Sequence, residues 1–415
     1  MTVNEQVSVQ AAEAEHSVSS IRLRSIYVDN FKSLVDFQLS LAAFTCLIGL
    51  NGSGKSTVLQ AIDFISRLFK GNVSQWLEQR QWKPGDLNSK LSGKSNLKLG
   101  IELSGADGDF SWDCSFNRSL LRCTQETVKL NGKTLLSVAD GHYWFGDVVH
   151  AGTTAARTKI AFEYEGSILS QLKDEVLPKP LLPLKRFLQQ TASLDLLAPQ
   201  LLRKRAVQSQ GELGMGGERL SAFLSELSDE QRLTLGSQLK SAYPHLEQFV
   251  TRSLRAGWKE LGIREQFGDK ALYTEARHIN DGMLRLMAIL AEILTDHQFL
   301  LFDEIENGIN PELVEFLLDV LVNAHQQILV TTHSPMILNY LDDSVARAGV
   351  QYLYKTPEGF TRAVPFFSIP SLAAKLEVMG PGEAFVDTHL SRLPEEIDAM
   401  RASNMERPNA DPRQR

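Results

Sequence analysis

Phe44-Thr45-Cys46-Leu47-Ile48-Gly49-Leu50-Asn51-Gly52-Ser53-Gly54-Lys55-Ser56-Thr57 is the stretch on which the fold is read. Phe44 to Ile48 is a short apolar run, as a parallel strand covered on both faces should be. It empties into Gly49–Ser56, which fits G-x-x-x-x-G-K-[ST], and Thr57 to Phe69 continues with the apolar spacing of a helix. Gly52 and Gly54 let the backbone curl so that successive N–H groups face phosphate oxygens. The helix that follows adds its positive N-terminal end. In this arrangement Lys55 reaches the β- and γ-phosphates of ATP, Ser56 binds Mg2+ and Thr57 contacts the α-phosphate, with Asn51 in the same loop. The flanking strand and helix set aside the plainer reading, a glycine-rich turn before a helix.

Further along, Phe299-Leu300-Leu301-Phe302 is an apolar run ending in Asp303-Glu304. A strand that ends in two carboxylates downstream of a phosphate loop places Asp303 beside the Mg2+ and leaves Glu304 to act as general base on water. Alone, the pattern reads only as a strand ending at a polar turn. Ile328 to Thr332 is another strand, ending in His333-Ser334-Pro335. A histidine after a strand is more often structural, but here its imidazole can reach a γ-phosphate. Asn280-Asp281-Gly282 opens an apolar helix, where the same N–H donors serve a helix cap or an anion.

The rest of the 415-residue chain bounds the function. Its 43% hydrophobic and 22% charged residues are those of a globular protein, and the net charge of −7 offers no global field for nucleic acid or membrane. Cys46, Cys114 and Cys123 are too few and scattered for a disulfide framework or a zinc site, which fits a reducing cytoplasm. No run of apolar residues is long enough to span a membrane. Residues 1–20 read as a disordered tail, and 391–415 as a polar tail. Between them, 21–165 is expected to form an N-terminal lobe with the phosphate loop. Within it Leu97 to Phe145 alternates with period two and turns at Asp107-Gly108 and Asn131-Gly132, an antiparallel meander. Residues 166–255, rich in Leu, Gln, Lys and Arg, are expected as a helical insertion, and 256–390 as a C-terminal α/β lobe.

In this order, Asn30-Phe31-Lys32-Ser33, the phosphate loop, Gly217-Glu218-Arg219-Leu220, Asn280-Asp281-Gly282, Phe302-Asp303-Glu304 and Thr332-His333-Ser334-Pro335 resemble the ABC-type ATPases of the SMC/RecF/OLD branch, and within it the compact bacterial AAA_21-like ATPases. The resemblance covers about residues 20 to 390. It implies an α/β P-loop NTPase fold of ABC/SMC-head type, and two copies that sandwich ATP head to tail. It implies that Asn280, Asp281 and Gly282 close over the nucleotide of the other copy, that Lys32 touches the nucleotide, and that Asn307–Asn310 crosses the interface. Asn280 stands where the family usually has Ser, and Asn310 where a His is common. The family's Mg2+-contacting Gln has only Gln79 and Gln81 as candidates, which read more simply as surface residues.

The resemblance also implies a function. Compact ATPases of this type, as in Septu and retron-associated systems, control a separately encoded nuclease or toxin in anti-phage defence. No carboxylate-rich nuclease domain and no long coiled coil is read in this chain. The expected function is therefore a regulatory ATPase, a homodimer or higher oligomer holding an effector. The alternative is a RecF-like DNA-binding factor, for which Lys185, Arg186, Arg203, Lys204 and Arg205 are the candidate contact cluster. A transporter ATPase subunit is a weaker third reading.

Overall fold

The computed structural model describes residues 21–146 and 157–405. The expected tail at 1–20 lies outside them. Along the chain, β1 (Arg22–Asp29) and β2 (Phe37–Ser40) pair antiparallel, and β3 (Phe44–Ile48) leads through the glycine loop into α1 (Lys55–Lys70) and α2 (Val73–Gln79). The expected meander follows as β4 (Leu97–Gly105), β5 (Gly108–Asn117), β6 (Arg122–Leu130), β7 (Lys133–Ala139) and β8 (His142–Phe145), with the short β9 (Thr158–Lys159). These strands form one eight-stranded antiparallel sheet, ordered β2-β1-β4-β5-β6-β7-β8-β9.

The stretch 166–255 is not a helical arm. It holds α3 (Leu182–Gln189), β10 (Thr191–Leu194), α4 (Pro199–Leu202), α5 (Leu220–Glu226), α6 (Asp229–Ala242) and β11 (Leu246–Ser253). β10 pairs in parallel with Phe299–Phe302, so its four residues are an edge strand of the nucleotide-binding sheet. Helical spacing on both sides hides so short a strand. The helix expected across Glu218–Leu239 is two helices, because Ser228 stops one and caps the next, its hydroxyl accepting from Gln231 N. β11 pairs with β12 (Lys259–Phe267), which pairs with β13 (Lys270–Glu275), a separate three-stranded sheet.

The last third alternates as expected. α7 (Asp281–Ile293), β14 (Phe299–Phe302), α8 (Pro311–Val322), β15 (Gln327–Thr331), α9 (Pro335–Asn339), α10 (Asp343–Gly349), β16 (Val350–Lys355) and β17 (Thr361–Pro365) follow in turn. Then come α11 (Pro370–Lys375), α12 (Pro381–Val386) and α13 (Leu393–Met405). The last of these occupies the expected polar tail: Leu393 and Ile397, one turn apart, are buried and anchor it. The central sheet runs β10-β14-β15-β3-β16-β17, parallel apart from β17.

Side-chain alternation divides the central strands between two cores. Phe44, Cys46 and Ile48 of β3, Leu300 and Phe302 of β14, and Ile328 and Val330 of β15 face a core shared with α7 and α8. Leu47, Phe299, Leu301 and Leu329 point the other way, into a core built from α1 and the antiparallel sheet. That is why these strands read as unbroken apolar runs. α1 thus lies sandwiched between two sheets, with Val58, Leu59, Phe64, Leu68 and Phe69 buried.

One polar cluster fixes α1 from the side. Asp63, in the middle of α1, accepts from Trp76 Nε1 at 2.5 Å, Arg80 Nη2 at 2.8 Å and Arg67 Nε at 3.2 Å. Arg80 also forks onto both oxygens of Asp195 at 2.8 Å, tying α2 and the end of β10 to the same helix. Burial pushes the Asp63 carboxyl up, and the guanidinium groups of Arg67 and Arg80 outweigh it and hold it below the usual range. The Arg80 and Asp195 side chains are each 1% exposed, so deleting one partner strands a buried charge. Arg80→Ala is therefore expected to cost about 3–5 kcal/mol, read as the change in chemical denaturation free energy. A loss below about 1 kcal/mol, the size of an exposed pair, would contradict it.

Candidate functional site

The loop after β3 turns through three left-handed glycines, Gly49 (φ 146°), Gly52 (φ 77°) and Gly54 (φ 109°). Gly49 and Gly54 have no room for a side chain. A Cβ on Gly49 would stand 2.2 Å from Leu353 O, and one on Gly54 2.4 Å from Thr361 Oγ1. Lys55 opens α1 and its ammonium reaches back over the loop, donating to Gly49 O at 2.8 Å and Leu50 O at 3.4 Å, 3.4 Å from His333 Nδ1. Burial pushes its pKa down, while the carboxylates of Asp303, Glu304 and Glu306 pull it back up. Ser53 Oγ is buried in the loop with no hydrogen-bond partner among the described residues. Asn51 and Gly52 are exposed at the loop's crest, and Ser56 and Thr57 are half-buried in the first turn of α1.

β14 and β15 deliver the acidic side of the site. Parallel pairing aligns Phe302 with Val330, so Asp303 emerges next to Thr331. The Thr331 hydroxyl donates to Asp303 Oδ1 and accepts the Glu304 N–H at 2.9 Å, one group orienting both acidic residues. Glu304 takes a left-handed φ of 46°, an uncommon backbone for glutamate. Its Oε1 lies 3.4 Å from His333 Nε2, and its Oε2 accepts from Asn307 Nδ2 at 3.3 Å. Glu306 anchors the histidine segment, accepting from Thr332 Oγ1 at 2.8 Å and His333 N at 3.0 Å.

Lys55, Asp303, Glu304 and His333 are thus brought together, and the remaining sequence-derived residues are placed around them. Asn280 caps α7, accepting from Met283 N at 2.8 Å. Gly282 abuts the loop after β14, where a Cβ would stand 2.4 Å from Gly308 O. Asp281 is paired with Arg203. Among the described residues no hydrogen bond joins Asn280–Gly282 to the phosphate loop. Lys32 lies beside α1, its ammonium 2.9 Å from Gln60 Oε1 and 3.2 Å from the centre of the Trp82 ring. Burial, with Arg80 nearby, pushes its pKa down to about 8. Gln81 follows α2 in a left-handed turn, and neither it nor Gln79 hydrogen-bonds the loop or Asp303 among the described residues. Asn310 caps α8.

The proposed DNA-contacting cluster is mostly spent internally. Lys185 is buried and bonded to Leu172 O and Asp174, and Arg186 also pairs with Asp174. Arg203 pairs with Asp281, and Arg205 with Glu260. Three carboxylates, Asp174, Glu260 and Asp281, offset part of the cluster's charge, which weakens its field for a phosphate backbone.

Some residues of the site gave no signal of their role in sequence. Arg285 donates from α7 to the carbonyls of Asp303 at 2.7 Å and Glu304 at 3.0 Å. It therefore joins the Asn280–Gly282 helix to the acidic pair. Thr331, Glu306 and Thr361 likewise act through contacts across the sheet that local pattern does not encode.

The donor set fits a nucleotide with Mg2+. The glycine loop, Lys55 and the start of α1 present cationic and N–H donors, and the Ser56 hydroxyl and an oriented Asp303 carboxylate are the hard oxygens that Mg2+ prefers. Comparison with known proteins agrees with the architecture. Residues 145–339 match the AAA_21 family model, described as "AAA domain, putative AbiEii toxin, Type IV TA system", and residues 22–107 match AAA_15, an AAA ATPase domain. The retron Vc95 probable ATPase of Vibrio cholerae serotype O1 biovar El Tor is 22% identical over 387 residues, covering 77% of this chain and 72% of that protein. Among solved structures, an SMC head bound to the C-winged helix domain of ScpA covers 82% of this chain at 14% identity, with 97% of its own length and a TM-score of 0.52. A Pyrococcus furiosus SMC head with an extended coiled coil, bound to the C-terminal domain of ScpA, covers 86% at 12% identity, with 100% of its own length and a TM-score of 0.50. At these identities the two heads speak for the fold alone. Residues 145–339 thus match the AAA_21 model, and the fold is that of SMC-type P-loop ATPase heads, which the phosphate loop and the acidic strand end fit.

Proposed function

We propose that this chain binds and hydrolyses ATP with Mg2+ in the cytoplasm, dimerises around the nucleotide, and controls a separately encoded effector protein in bacterial anti-phage defence. The observation that carries the reading is the convergence of Lys55, Asp303, Glu304 and His333 at the ends of β3, β14 and β15. Lys55 and the loop amides would hold the triphosphate, and Ser56 and Asp303 the metal. Bound Mg2+ would neutralise charge on the β- and γ-oxygens. Glu304 would take a proton from the attacking water, and His333, between Glu304 and Lys55, would face the γ-phosphate.

Dimerisation is supported by exposure. The side chains of Glu304 and His333 are 47% and 38% exposed, too open to exclude water from a reacting phosphate without a cover. Asn280–Gly282 lies against Gly308 of its own chain rather than the loop, so a second copy would be needed to present it to a nucleotide. Arg285 would then carry the partner's arrival to Glu304 through the Asp303 and Glu304 carbonyls. An effector is supported by the retron relative, and its identity would come from a pull-down. Robust nuclease activity of the purified chain alone would overturn that part of the reading. A RecF-like role is less favoured, because Lys185, Arg186, Arg203 and Arg205 of the basic cluster are paired within the chain.

Lys55→Ala is expected to abolish ATP binding in a fluorescent-nucleotide titration. Glu304→Gln should bind ATP and accumulate as a dimer in light scattering, and a monomer with ATP bound would sink the shared site. Thr331→Val removes the hydroxyl that orients Asp303, so ATP turnover should fall about 10–100-fold, the usual effect of losing a residue that orients a metal ligand. Thr331→Ser should keep most of the activity. Equal losses in both variants would mean that the hydroxyl is not what matters.

A further inference from the structure

We propose that Thr361, on the antiparallel edge strand β17, is a positioning residue of the phosphate loop, setting the direction in which the loop's N–H donors point. The inference rests on reading Gly49–Ser56 as the phosphate site. Thr361 is fully buried against the loop, and its hydroxyl has one proton and two lone pairs. It donates to Ser53 O at 2.9 Å, accepts from Lys355 Nζ at 3.0 Å, and lies 2.9 Å from Ser33 Oγ. With its proton given to Ser53, the bond to Ser33 is one it accepts. All its capacity is used, so its orientation is fixed.

The consequence follows from the planarity of one peptide. In a trans peptide the carbonyl and the next N–H point in opposite directions. Holding Ser53 O against Thr361 therefore aims the Gly54 N–H away from β17, to the side on which the loop curls. A loop free to rotate at this peptide would present an oxygen where a phosphate needs a proton. The fit is tight on both sides, since a Cβ at Gly54 would stand 2.4 Å from the Thr361 hydroxyl. Lys355 strengthens the bond, because a charged donor polarises the hydroxyl it binds.

Thr361 also ties distant parts of the chain to the loop. Its own N–H donates to Ser33 O at 2.9 Å, so Ser33 is held at both backbone and side chain. Ser33 belongs to Asn30-Phe31-Lys32-Ser33, the linker between β1 and β2, while Lys355 ends β16. The hydroxyl is the point where the antiparallel sheet, the central sheet and the phosphate loop meet.

The test compares wild type, Thr361→Val, Thr361→Ser, Lys355→Met and Lys55→Ala in ATP binding, steady-state hydrolysis and thermal melting. Thr361→Val keeps the shape and loses the hydroxyl. It should raise the ATP Kd and KM at least tenfold, with kcat changed less than threefold and the melting temperature kept within a few degrees. Thr361→Ser should restore both constants to within about twofold. A wild-type Kd in the Val variant, or equal defects in the Val and Ser variants, would overturn the inference while the ATPase reading stood. Wild type that binds no nucleotide would overturn both. Should Thr361→Val melt far below wild type, Lys355→Met carries the test. A KM raised at least threefold at an unchanged melting temperature supports the inference, and an unchanged KM overturns it.

Discussion

The parallel pairing of β3 between β15 and β16 is the constraint on which the site depends. It joins Cys46 to Val330 on one side and to Val350 on the other. The end of β3 is thereby fixed beside the ends of β14 and β15, which is how Lys55 comes within 3.4 Å of His333 across 278 residues of chain. Parallel neighbours must cross over rather than turn back, so each strand returns to the sheet with the same end uppermost. Loops from all three strands then collect at one edge, the side on which open α/β sheets bind their ligands.

Around this edge a few side chains hold the backbone where unaided chain would not stay. Thr331 orients both Asp303 and Glu304, Glu306 holds His333, and Arg285 holds the carbonyls of the acidic pair. Glu304 sits in a left-handed backbone, which costs free energy that these contacts offset. Glu304 and His333 are partly exposed, while residues that place the site, such as Arg285 and Thr361, are buried.

Much of this was legible in the chain itself. The phosphate loop could be found because glycine spacing and a flanking apolar strand are local signals, and Leu97–Phe145 could be read as a meander because alternation with turn residues is equally local. β10 could not be. Its four residues lie between helices, and only their alignment with Phe299–Phe302 makes them a strand. Within the expected polar tail, the helix Leu393–Met405 gave little signal because its buried anchors Leu393 and Ile397 are two apolar residues in a charged run. Lys32, expected at the nucleotide, lies between Gln60 and Trp82 beside α1, and the neighbouring Ser33 reaches the loop through Thr361, a contact no local pattern announces. The basic residues from Lys185 to Arg205 looked like one surface because sequence shows charges but not the carboxylates that meet them.

The strand order has a further consequence for how the molecule is made. β4 to β8 pair with their immediate successors, so the antiparallel meander can assemble as soon as it leaves the ribosome. β3 has no such neighbour. Both of its partners lie near the far end of the chain, and closing loops of that length is slow. During synthesis the apolar run from Phe44 to Ile48 must wait for residues 327–355 before its edges are covered. Until then it is an unpaired hydrophobic strand, the kind of segment that chaperones recognise and that aggregates when they are scarce.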